Sequence, residues 1–269
     1  MLKKLRHMLK KIPILGILLT KLSDNIQVYY RDIFIRGGKF KLRYPNTKYL
    51  GQHKMQKTGM YSQCGQDVFV YETFFKGKKD GVFCDVGGNH PISINNTYMF
   101  EKMGWTGYCF EPLPAMKKLW QKERTAKFFP YAATEKKEKL EFVVVEGDAG
   151  WEDAHSYINK TLSHHLDDHL NKKNITVQGR LIKDVLMEQG VNCIDYMSLD
   201  VEGHELQALK GIDFNTIKIN VITLENNPSS SSSILGDDNI REFLYEKGYK
   251  FYARIACLDD VFVHKNFIK

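Results

Sequence analysis

Five apolar runs of the chain end in acids or in small residues. "GVFCDV" ends in Asp85 and runs into Gly87, Gly88 and Asn89; "TGYCFEP" ends in Glu111 and Pro112. "AKFFPYAA" ends in Tyr131, Ala132 and Ala133. "CIDYMSLDVEG" ends in Asp200, with Glu202, Gly203, His204 and Glu205 beyond, and "IKINVITLENN" ends in Glu225. Each residue type suits a task. The glycines permit tight backbone angles and let a ligand lie on bare backbone. Glu111 follows Asp85 by 26 residues, and a carboxylate at the end of the next strand can accept both hydroxyls of a ribose. Ala132 and Ala133 leave a narrow slot suited to adenine.

The glycine spacing separates two nucleotide-like cofactors. A dinucleotide turn reads Gly-x-Gly-x-x-Gly and seats a pyrophosphate on a helix N-terminus. Here the turn is "DVGGNHPISIN", which lacks the third glycine. Asp85 before the turn repels pyrophosphate but suits the ammonium of a methionine moiety. The residues therefore favour S-adenosylmethionine, with an NAD-linked dehydrogenase as the competing reading.

Methyl transfer from a sulfonium is an in-line displacement. The protein must align an acceptor oxygen and remove its proton. Asp200 is the first candidate for the reacting face, with His204 as a general base and Glu225 as a third candidate. Glu202 is a candidate for the acceptor. Asp200, Glu202, His204 and Glu225 also have the chemistry to hold a divalent cation, Asp200 and Glu225 foremost. The bland alternatives are a carboxylate at a helix start for Glu202 and an exposed first-turn residue for His204. The segment "AGWEDAHSYINKTLSHHLDDHL" (149–170) offers Trp151 for a sugar face and Asp153, His155 and Ser156 for hydroxyls. His164, His165 and His169 have spacing for zinc, although a solvated helix face explains them as well.

The elements that must position these groups alternate. Runs at 81–86, 106–112, 126–133, 193–203 and 217–227 read as strands, with an additional β-branched strand in "KLEFVVVEG". Helices are expected over "SINNTYMFEKM", with Ile94, Tyr98 and Met103 on one face, and over "PAMKKLWQKE", opened by Pro114. Further helices are expected in "GRLIKDVLMEQG", "HELQALKGI" and "DDNIREFLYEKGY". Residues 147–178 read as irregular. "KFYARIACL" and "DDVFVHK" read as an antiparallel pair at the sheet edge. This alternation implies a mostly parallel sheet covered on both faces, whose ligands bind beyond the carboxyl ends of the strands.

Composition bounds the rest. The chain has 269 residues and a net charge of +7. Residues 1–50 hold 12 Lys/Arg against 2 Asp, so the other 219 residues carry −3. The basic character belongs to the N-terminal segment, which argues against a nucleic-acid partner for the whole protein. The division is a basic extension over 1–58 and a catalytic domain over 59–269. The apolar run Ile12–Leu19 is too short to span a bilayer. The extension suits an anionic membrane surface, or packing on the body or on a second protomer. Five scattered cysteines with no Cys-x-x-Cys pair fit a reducing, cytoplasmic compartment.

Taken in order, "SQCGQD", "CDVGGNHPISINNT", "CFEP", "YAA" and "IDYMSLDVEGHELQALKG" resemble the FkbM family of S-adenosylmethionine-dependent methyltransferases over about residues 60–227. The resemblance implies the class I methyltransferase fold, a Rossmann-like three-layer α/β sandwich on a mostly parallel seven-stranded sheet. It implies methyl transfer to oxygen, often on sugars. It implies cofactor contacts at Asp85, Gly87, Asn89 and Glu111 beside Pro112 and Ala132, with Gln63 and Asp67 closing over them. Two positions depart from the family: His90-Pro91 replaces a small residue and glycine, and Ser198 replaces a lysine. The expected function is O-methylation of a sugar or nucleotide sugar in surface-polysaccharide assembly. The alternatives are a non-catalytic, membrane-associated scaffold of glycan machinery and a methyltransferase of another small molecule.

Overall fold

The computed structural model describes residues 61–146, 156–158, 171–226, 237–255 and 259–267. The basic extension, Trp151, Asp153, His155 and the histidines of 164–169 lie outside the described residues. Among the described residues no helix is long and apolar enough to cross a membrane.

Eleven strands fall into two sheets among the described residues. The main sheet uses β1 (Val82–Val86), β2 (Thr106–Phe110), β3 (Lys127–Phe129), β8 (Cys193–Leu199), β9 (Lys218–Glu225), β10 (Tyr249–Ile255) and β11 (Asp259–His264). Their spatial order is β10-β11-β9-β8-β1-β2-β3. β3, β2, β1, β8 and β9 run parallel, while β11 pairs antiparallel with both β9 and β10. The antiparallel end is the arrangement expected from the sequence, with β11 inserted between β9 and the edge strand.

The sheet is apolar because both its faces are covered. On one side Ile182, Val185 and Leu186 of α4 (Ile182–Glu188), Ala208 and Leu209 of α5 (Glu205–Lys210) and Ile240 and Leu244 of α6 (Asp238–Glu246) pack on Cys84, Val86, Ile194 and Leu199. On the other side Phe69 and Val70 of α1 (Gln66–Val70) and Met99 and Phe100 of α2 (Tyr98–Lys102) pack on Phe83, Tyr196 and Val221. α3 (Pro114–Glu123) opens on Pro114, as its sequence predicts, and buries Met116 and Trp120. Asp237 caps α6 by accepting from the Asn239 amide at 2.9 Å.

Three local expectations are corrected. The run 126–133 is not one strand. Pro130, without an amide hydrogen, separates β3 from β4 (Ala132–Ala133), and β4 joins the second sheet. Residues 171–178 are not irregular: β7 (Asn171–Arg180) pairs antiparallel with β5 (Glu138–Glu146) over nine residue pairs. Its inward positions Ile175, Val177 and Gly179 alternate, but the polar "NKKN" start hides the period. The helix expected over 93–103 is only five residues long. Ile94 has φ 54° and is 42% exposed, and Met103 is exposed past the helix end, so Met99 and Phe100 form the buried face instead. The second sheet has the order β4-β7-β5-β6, closed by β6 (Tyr157–Ile158).

Candidate active site

Strand order reverses between β1 and β8, where the chain first builds outward through β2 and β3 and later returns to build through β9. The carboxyl ends of strands flanking such a reversal leave a crevice. Here it is a cleft of about 480 Å³ of open space. Gly87, Asn89, Phe110, Glu111, Pro112 and Ala132 line one part, Phe142, Ser156 and Ile158 of the second sheet roof it, and Asp200, Val201 and Glu202 form the far wall.

The near wall is fixed by backbone. The Gly87 amide donates to the Phe110 carbonyl (2.8 Å), and the Asp200 amide to the Val86 carbonyl (2.9 Å). Gly87 has φ 82°, and a Cβ there would overlap the Asp200 carbonyl oxygen. Glu111 is buried, and each of its oxygens accepts one backbone amide: Oε2 from Asn89 (2.8 Å) and Oε1 from Leu113 (2.7 Å). These two amides fix the carboxylate in the wall of the cleft that Glu111 lines. Ser156 Oγ accepts from the Val145 amide at 3.1 Å, so that hydroxyl ties the roof together.

The far wall is acidic. Asp200, Glu202 and Glu225 offer carboxylate oxygens that all lie within 4.8 Å of one another. Desolvation, then Glu205 and Asp85, push the Asp200 carboxyl up to about 7, while a hydrogen bond from Glu225 holds it down. Glu225 is held well above the ordinary carboxylic range, first by burial and then by Asp200, Glu202 and Glu205. Glu225 is therefore the protonated partner that donates to Asp200. Glu202 is raised to about 9, first by burial and then by Asp200. It occupies a left-handed turn (φ 53°) followed by Gly203 (φ 93°). Glu205 stabilises that turn by accepting from the Val201 and Gly203 amides, both at 3.1 Å.

Several expected residues stand elsewhere. Asp85 is not on the cleft wall. Its Oδ2 accepts from Asn95 Nδ2 (3.0 Å) and Thr97 Oγ1 (2.7 Å), which ties it to the turn. Asp67 does not close over the cleft either. It is buried and accepts from the Tyr61, Ser62 and Val68 amides and the Ser62 hydroxyl. Gln63 is exposed and off the cleft wall. His204 is the residue before α5, is buried, and meets Thr134 Oγ1 at 3.2 Å, away from the lining residues. Burial lowers its imidazolium pKa to about 4, which favours the neutral ring above pH 5. His204→Gln is expected to leave the pH–rate profile above pH 5 unshifted, measured as initial rates across pH 5–9. A lost acidic limb would reinstate the histidine as the base.

Residues with no assigned role in the sequence reading hold the site together. Gln66 bridges the Cys64 amide (2.7 Å) and Asp259 Oδ2 (2.6 Å), and Asp259 stands opposite Glu225 in the β11–β9 register. Asn96 Nδ2 donates to Ser198 Oγ at 2.9 Å, at the position where a lysine was expected from the resemblance. Chain order alone does not reveal such long-range partners, although Gln66 lies inside the quoted "SQCGQD".

A family model described as "Methyltransferase FkbM domain" matches residues 85–251. No curated protein and no solved structure matches the chain.

Proposed function

The chain belongs to the FkbM methyltransferase family, and on that premise we propose that it is an S-adenosylmethionine-dependent O-methyltransferase acting on a sugar hydroxyl. The acceptor class we favour is a nucleotide sugar or glycan of surface-polysaccharide assembly. The reading keeps the enzyme in the cytoplasm, with residues 1–58 meeting the membrane surface or a second protomer. It gives nucleic acid no part.

One observation carries the cofactor assignment: Glu111 lines the cleft, buried at the end of β2 and oriented by the Asn89 and Leu113 amides. Glu111 would hold the ribose hydroxyls, the Gly87 and Asn89 backbone the amino-acid end, and Pro112, Ala132 and Ala133 the adenine. When bound, S-adenosylmethionine supplies an electrophilic methyl group on a sulfonium. Asp200, receiving a hydrogen bond from Glu225, removes the proton of the acceptor hydroxyl. Phe142 and Ile158 exclude water from above.

A second reading shares this wall. Three carboxylates with oxygens within 4.8 Å of one another are hard donors suited to a divalent cation that would orient acceptor hydroxyls. A panel of nucleotide sugars, screened for S-adenosylhomocysteine release with and without chelator, separates the two. Loss of activity with chelator and its return with magnesium or manganese select the cation. Glu111→Ala is expected to weaken S-adenosylhomocysteine binding by roughly 10- to 100-fold, the cost of lost hydrogen bonds to a charged group. Unchanged affinity in calorimetry would remove the cofactor assignment.

A further inference from the structure

The turn between β1 and α2 carries the cofactor-binding backbone of the proposed function, and it is strained. Asn89 (φ 34°) and Ile94 (φ 54°) are non-glycine residues in the left-handed region. Such conformations persist only where the surroundings hold them.

The holding comes from α3 and the residue that follows it: Trp120 lies in the helix, and Arg124 is the extended residue at its end. Trp120 Nε1 donates to the Asn89 carbonyl at 2.6 Å. Arg124 Nη1 donates to the Pro91 carbonyl (2.7 Å) and to Asn95 Oδ1 (3.1 Å), and Nη2 to Thr97 Oγ1 (3.0 Å). Its Nε pairs with Glu101 at 2.5 Å, and its guanidinium lies 4.4 Å from the Trp120 ring centre. Both side chains are buried. Gly88 fits the tryptophan, because a Cβ there would stand 2.7 Å from the indole. The Asn89 residue is thus gripped from two sides: its carbonyl by Trp120, its amide by the cleft carboxylate Glu111.

We propose that Trp120 and Arg124 are positioning residues that set the cofactor-binding turn, and through Asn89 the orientation of Glu111. This rests on the functional reading above. A single lysine ammonium cannot serve Pro91, Asn95, Thr97 and Glu101 in the planar fork that Arg124 provides.

The test uses the full chain, with S-adenosylhomocysteine titrated calorimetrically and melting followed in parallel. Trp120→Phe, which keeps the ring and removes the donor, is expected to weaken binding roughly 3- to 10-fold. Arg124→Lys is expected to weaken it more. Leu244→Ala, on the buried face of α6, serves as the control: it lowers the melting temperature at least as much and leaves affinity within twofold. Wild-type affinity in both the Trp120 and the Arg124 variant overturns the proposal alone. So does an equal loss of affinity in Leu244→Ala, which would make the effect one of general stability. A wild-type chain that binds no S-adenosylhomocysteine overturns the functional reading and the proposal together.

Discussion

Asp200→Asn is expected to lower the methyl-transfer rate by about 10²- to 10⁴-fold, the usual contribution of a positioned general base, while S-adenosylhomocysteine affinity changes little. Asp200 stands on the wall opposite Glu111, so its loss leaves the ribose end intact. In the wild type the rate should rise with pH through about 7, as the Asp200 carboxyl ionises. The sign for stability is opposite. A carboxyl whose folded value is raised binds its proton more tightly in the native state, so stability falls as pH climbs from about 4, the unfolded value, to about 7, the folded one. The asparagine variant escapes that loss. It should melt higher than wild type at pH 8 and show no such advantage at pH 4, in the absence of divalent cations. A variant that is inactive and also less stable at pH 8 would contradict the picture of crowded like charges at this wall.

Gly87→Ala has the second large effect. Gly87 and Gly77 share nearly the same left-handed backbone, φ 82° and 83°. A Cβ at Gly77 meets nothing within 4 Å, whereas at Gly87 it overlaps the Asp200 carbonyl and approaches Val201 Cγ1 at 3.2 Å. Gly77→Ala should therefore cost only the left-handed strain, about 1–2 kcal/mol. Gly87→Ala adds overpacking of about 1–3 kcal/mol and must push β1 and β8 apart at the cleft. Chemical denaturation of the pair isolates the clash. Cofactor binding should survive in the first and collapse in the second. Equal stability losses would mean that the strand ends yield without cost.

Much of the architecture was legible because it rests on local rules. Pro114 marks the start of α3, Asp237 the start of α6, and Gly190 the end of α4, since each acts on its own neighbours. Glu111 was legible from its distance past Asp85 and its place at a strand end. The residues that stand off the cleft wall share another physical origin. Asp85 and Asp67 carry the right charge for a ligand, but both have their acceptor capacity directed to nearby amides and hydroxyls. Charge type is visible in a sequence; which way a carboxylate is already committed is not. His204 fails similarly, because its burial against Thr134 depends on a residue 70 positions away. The carboxylate cluster was only half legible. Asp200, Glu202 and Glu225 were named, but Asp259 enters through an antiparallel register that brings β11 beside β9.

Pro130 has a consequence for how this fold can vary. By ending β3 it sends the chain out of the main sheet, and the chain comes back only at Arg180. The two ends of that excursion lie side by side, Ala132 against Gly179 and Ala133 against Arg180. The excursion closes on itself at this two-residue clasp, while its Leu140, Phe142, Ile158 and Val177 pack with Cys109, Met116 and Trp120. Loop-closure entropy grows slowly, by about 0.6 kcal/mol for each doubling of length. The roof over the cleft can thus be lengthened, shortened or exchanged while the clasp and the sheet beneath keep their registers.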